Sequence, residues 1–171
     1  MYAVSLSGFL MTLLVLADPI AVRMPTGVLT PEKTEVFIYR NRVFAGFLFM
    51  LSILVFCNVR QSILVLRAKA DRRLLKQPLH LGLVGFLGMT GAVVGWIAFN
   101  QDILLLQIFS ILSIVSSAGM LYYIFKPQIK KREWILAHLG NIIGAGIGAY
   151  TAFFAFGDMV DRCIGVHVAC D

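Results

Sequence analysis

An all-α bundle of about five membrane-spanning helices is the fold this sequence predicts, and three observations predict it. Of the 171 residues 59% are hydrophobic and 14% charged, with a mean hydropathy of +0.85, a composition outside the range of soluble domains. The apolar residues come in runs long enough, at about 1.5 Å per residue, to cross a hydrocarbon core of about 30 Å. The basic residues cluster between runs. Arg60, Arg67, Lys69, Arg72, Arg73 and Lys76 form one group, and Lys126, Lys130, Lys131 and Arg132 form another. The connections are short, so residues 1–171 read as a single polytopic domain with spans at about 1–17, 43–59, 79–99, 103–125 and 134–156.

The first run, Met1 to Ala17, has no basic n-region and no small-residue cleavage site, and reads as a retained span. Asp18-Pro19 follows it with the cap and first-turn signature of a new short helix. A carboxylate at that depth is also a candidate polar site, together with Asn141 of the last span. Pro25, Gly27 and Pro31 mark an outer connection over 23–42. Thr30-Pro31-Glu32 predicts a helix start: a cap, a ring-fixed first residue, then an acid at the positive end of the dipole. No breaker follows until Pro78, so this helix begins outside the bilayer and crosses it from Val43 to Val59. It then continues inside as a basic amphipathic extension through Ile63, Leu66, Ala70 and Leu74. Arg40 and Arg42 fall at the outer headgroups, where snorkelling to lipid phosphates accounts for them.

Leu79 to Phe99 is the third span, with Gly82, Gly85, Gly88, Gly91 and Gly95 on a slowly drifting face. Asn100-Gln101-Asp102 is a turn so short that the third and fourth spans must form an antiparallel hairpin. In the fourth span, Ile103 to Phe125, Ser110, Ser113, Ser116, Ser117 and Gly119 make a small-residue face, and Tyr122 and Tyr123 stand at the inner interface. Lys126-Pro127 ends it. The fifth span, 134–156, opens on Trp134, carries no formal charge, and places Gly140, Gly144 and Gly148 four residues apart, with Ala152 continuing the series. Such a stripe lets another helix approach closely, and the glycine face of the third span is its expected partner. This span is read as the element that organises the bundle.

Topology follows from charge. With five spans, amino terminus inside and carboxyl terminus outside, ten of the fifteen Lys and Arg residues lie on the inner face. The net charge of +6 then belongs to span ends and calls for no nucleic acid. The tail with Asp158, Asp161 and Asp171 lies outside, in a compartment that permits a disulfide between Cys163 and Cys170. Their spacing matches no metal site. Cys57, inside an apolar run, reads as a packing residue.

Trp134-x3-His138-Leu139, Gly144-Ala145 and Thr151-Ala152-Phe153 resemble the closing signature of a bacterial multi-span membrane family known as domain of unknown function 2306. Gly8-Phe9, Pro19 and Arg42-Val43-Phe44 are similar to residues at the opening of that family. The chain departs from the pattern in lacking a histidine before the second span and in a shorter middle. The resemblance implies a multi-span membrane protein and no particular activity.

No nucleotide-binding glycine loop, Ser-His-Asp set, zinc motif or carboxylate pair is present in the sequence. The first functional reading is a structural or accessory subunit of the cell (inner) membrane, in contact with the lipid bilayer, packing as a homo-oligomer or in a larger membrane complex. The second is an electron-transfer subunit in which His80 and His138 ligate haem b or line a quinone pocket, since imidazole is a common haem ligand. A small-ligand transporter or sensor using Asp18, Asn141 and the outer arginines is the third.

Overall fold

The computed structural model describes residues 2–18, 31–68, 72–128, 130 and 132–168, the side chains of residues 31–33, 72, 152 and 155–168 excepted. Five α-helices and one 3-10 turn make up its regular structure, with no strand among the described residues. They are α1 (Tyr2–Ala17), α2 (Pro31–Ala68), the turn Arg72–Lys76, α3 (Pro78–Asn100), α4 (Leu104–Phe125) and α5 (Glu133–Val168). The punctuation residues act as their chemistry dictates. Pro31 and Pro78 open helices, where a missing N–H costs nothing. The 101–102 turn closes the α3–α4 hairpin with Asp102 at φ 51°, and Lys126 caps α4. Asp18 ends α1, its N–H bonded to Leu14 O. The short helix expected after it lies outside the described residues, as do Cys170 and the side chain of Cys163, and so does their disulfide.

Among the described residues three helices are long and apolar enough to cross a membrane: Thr34–Ala68 within α2, α3 and α4. α1 is apolar, but its 16 residues reach only about 24 Å. α5 runs 36 residues, so its backbone stays helical through Gly157, where the sequence had suggested a tail. α2 is a correction in the other direction: it ends at Ala68, short of the extension expected through Leu74. The chain instead turns back through 72–76 and buries Leu75 against Val65, Tyr123 and Ile124. A continuing helix would have carried that leucine away from the bundle into water.

The organising element is α2, and not the fifth span. α1, α3 and α5 all pack on it, and Phe47, Met50, Leu51, Leu54 and Cys57 are buried almost completely. α1 lies antiparallel to it, with Tyr2 against Phe56 at 5.3 Å between ring centroids and Phe9 against Phe49 at 5.1 Å. α5 lies antiparallel on another side, Gly144 facing Asn58 and Gly148 facing Val55. The expected contact between the glycine faces of the third and fifth spans is therefore overturned. The α3 glycines meet the serines of α4: a Cβ added at Gly88, Gly91 or Gly95 would lie 2.9–3.0 Å from Ser117, Ser113 or Ser110 Oγ. Ser113 donates to Leu87 O at 3.2 Å and Ser117 to Val84 O at 2.8 Å, so hydroxyls anchor the backbones that the glycines bring close. The turn after Asn100 already required this pairing, because adjacent antiparallel helices present their small faces to each other first.

Candidate functional site

Where α2 reaches the end of the bundle that carries the basic turns, its apolar run gives way to Asn58-Val59-Arg60-Gln61-Ser62. A helix projects consecutive residues about 100° apart, so these side chains leave α2 in several directions, and two of them meet histidines. His80, in the first turn of α3, is fully buried; its Nε2 lies 2.6 Å from Oε1 of Gln61, which is 1% exposed. A carbonyl oxygen accepts, so this contact sets the proton on Nε2 and leaves Nδ1 as an acceptor. That Nδ1 and the Gln61 amide nitrogen are buried without a partner among the described residues. On another side of α2, Ser62 Oγ lies 2.6 Å from Nδ1 of half-buried His138, with the Ser62 carbonyl oxygen 3.2 Å from the same nitrogen.

The two histidines singled out in the sequence thus meet adjacent residues of α2. Each is tied to α2 through a different neighbour, Gln61 or Ser62. The His138 ring meets Ser62 through Nδ1 alone and the His80 ring meets Gln61 through Nε2 alone. Gln61 and Ser62 escaped the sequence reading, which had taken this stretch for a solvated amphipathic extension. The available signal was a cluster of uncharged polar residues beside an arginine at the end of an apolar run, which in a bundle marks cross-helix partners.

The other candidate residues stand apart. Asp18 is exposed at the end of α1 away from Tyr2. Asn141 turns back on its own helix, donating to Ala137 O at 2.6 Å, so the two are not brought together. Arg40 and Arg42 are exposed on α2. Cys57 is a buried free thiol whose Sγ lies 3.6 Å from Leu83 O. Among the described residues no three His, Cys, Asp or Glu side chains gather as metal ligands. Gly82, Gly85 and Gly140 have open space where a Cβ would go, whereas Gly88, Gly91, Gly95, Gly144 and Gly148 are covered.

Two cavities lie among the described residues. One, of about 330 Å³, lies among α1, α2 and α5, and its walls include Ser5, Gly8, Thr12, Ser52 and Phe153. The hydroxyls of Ser5, Thr12 and Ser52 donate to carbonyls of their own helices, so little polarity is left to face the space. The other, of about 560 Å³, opens beside the α4–α5 connection. There Lys126 Nζ donates to Glu133 Oε1, and Lys130 N–H donates to Glu133 Oε2 at 2.9 Å. The hydrogen bond from Lys126 holds the Glu133 carboxyl below the usual carboxylate range, and the same bond raises the Lys126 ammonium. The result is a charged latch at the start of α5.

Fold and site together define, over the described residues, an all-helical protein with three helices suited to a lipid environment, joined by hydroxyl, amide and imidazole bonds between helices. No family model matches the chain, and no curated protein or solved structure matches it significantly.

Proposed function

We propose that this chain is a five-span protein of the cell (inner) membrane that acts as a structural or accessory subunit, assembling with itself or with larger membrane partners. The family resemblance read from the closing motif belongs to this proposal. The observation that carries it is the division of labour among the glycines. Those facing α4 and α2 hold the chain together, while Gly82 and Gly85 on α3 and Gly140 on α5 lie exposed with nothing within 4 Å of an added Cβ. In lipid, helices associate through close packing of small residues more than through hydrophobic force, so bare glycines are where a neighbouring helix gains most. Large apolar side chains on the same helices and on α4, such as Trp96, Val115, Ile143 and Phe153, are each more than half exposed.

Gly82→Leu/Gly85→Leu is expected to leave the fold intact and to reduce assembly by about tenfold, read as chemical cross-linking in membranes and as particle size in mild detergent. Unchanged assembly would refute the proposal.

Orientation has its own test. The positive-inside count places the amino terminus inside and the carboxyl terminus outside, and the basic turns 72–76 and 126–133 share one end of the bundle. After reduction, a membrane-impermeant maleimide should label Cys163 or Cys170 in intact cells or spheroplasts and leave buried Cys57 unlabelled. Labelling that requires lysis would invert the topology.

A further inference from the structure

We infer that the cavity beside the α4–α5 connection binds the phosphate of an anionic glycerophospholipid; this rests on the membrane reading proposed above. Its walls combine Lys126, Lys130, Arg132 and Glu133 with two apolar residues, Ile135 and Leu136. The single acid is already engaged, by the Lys126 ammonium and the Lys130 backbone N–H. That leaves the exposed Lys130 and Arg132 side chains, which form no ion pair among the described residues, and a wall with an excess of positive charge. An anion entering here meets two cations and no free carboxylate.

The apolar part of the wall selects among anions. Leu136 is 72% exposed directly beside the charged residues, an arrangement that a free phosphate would leave in contact with water and that the glycerol and upper acyl carbons of a lipid would cover. The depth is also that of a headgroup. Tyr122, 70% exposed in the last turn of α4, has its ring centroid 6.0 Å from Nζ of the wall residue Lys126, and such aromatic residues settle at the bilayer interface. Basic pockets at the ends of membrane helices bind anionic headgroups by this combination of phosphate attraction and tail contact.

The test is lipid retention by the full chain, measured by native mass spectrometry after equilibration with palmitoyl-oleoyl phosphatidylglycerol or phosphatidylcholine. Wild type is expected to retain the glycerol lipid about tenfold better. Lys130→Gln/Arg132→Gln should lose that preference. Arg67→Gln/Lys76→Gln, which removes two exposed cations elsewhere on the same end of the bundle, should keep it. Equal retention of the two lipids overturns the site, as does a preference that survives in the Lys130/Arg132 variant. Equal loss in both variants assigns the effect to a diffuse basic surface and also overturns it. Displacement of the lipid by millimolar glycerol phosphate would reassign the cavity to a soluble phosphate. Alkaline extraction separates the two proposals: release of the chain from membranes refutes the membrane reading, whereas resistance to release without lipid preference refutes this site alone.

Discussion

Gly91→Leu is expected to be the most damaging single substitution in the α3–α4 hairpin, lowering stability in detergent by about 3 kcal/mol. A Cβ at this position would sit 2.9 Å from Ser113 Oγ, 3.0 Å from Ser113 Cβ and 3.2 Å from Ile114 Cγ1. The hydroxyl can rotate away, but Ser113 Cβ is fixed to the α4 backbone, and the rest of the leucine side chain would have to pass it. Relief requires the two helices to separate, which also breaks the bond from Ser113 Oγ to Leu87 O. Gly119→Leu is the matched control, since a Cβ there meets nothing within 4 Å. A denaturation midpoint in dodecyl sulfate or a thermal scan reads both variants. Equal midpoints for Gly91→Leu and Gly119→Leu would show that the hairpin does not depend on this close approach.

His80 and Gln61 supply the second large effect. His80→Ala removes the donor to Gln61 Oε1 and leaves a hole where a fully buried ring stood, so a loss of about 2–3 kcal/mol is expected. Gln61→Leu should cost about 1–2 kcal/mol by orphaning the imidazole N–H. His80→Phe/Gln61→Leu removes both polar groups while keeping most of the volume, and should be less destabilised than the two single changes His80→Phe and Gln61→Leu add up to. A coupling of about 1 kcal/mol is the expected value, in line with interhelical bonds in other membrane bundles. Strict additivity in this double-mutant cycle would mean that the short contact contributes nothing beyond packing. Ser62 and His138 should show a weaker coupling, because His138 is only half-buried and water can replace the lost partner.

Helix boundaries were legible because they are local events. Pro31 and Pro78 can open a helix but not sit inside one without cost, and the turn at 100–103 has too few residues to connect anything other than antiparallel neighbours. The sites were less legible. His80 and His138 stand out in the sequence as the two histidines within spans, yet the residues that decide their roles, Gln61 and Ser62, lie on a third helix and 19 and 76 residues away in the chain. The cavity residues Lys130 and Arg132 were visible as charge at a span end. Their separation from Glu133 as a counter-ion depends on the Lys126 latch, which exists only once α4 and α5 are folded together.

By itself the sequence determined that the chain is helical and built from long apolar runs, where most of its helices start and stop, and that α3 and α4 form a hairpin. Only the tertiary structure decided that α2 is the centre, that the α5 glycines rest on Asn58 and Val55, and that the α3 glycines rest on serines. The physical reason is that lipid tails are as apolar as a protein interior, so hydropathy does not distinguish a buried face from a lipid-facing one. Phe47 is wholly buried and Trp96 is 75% exposed, yet both are large aromatic residues within apolar runs. A glycine in such a run marks where a backbone can be approached, and the partner that makes the approach is set by how all the helices pack at once.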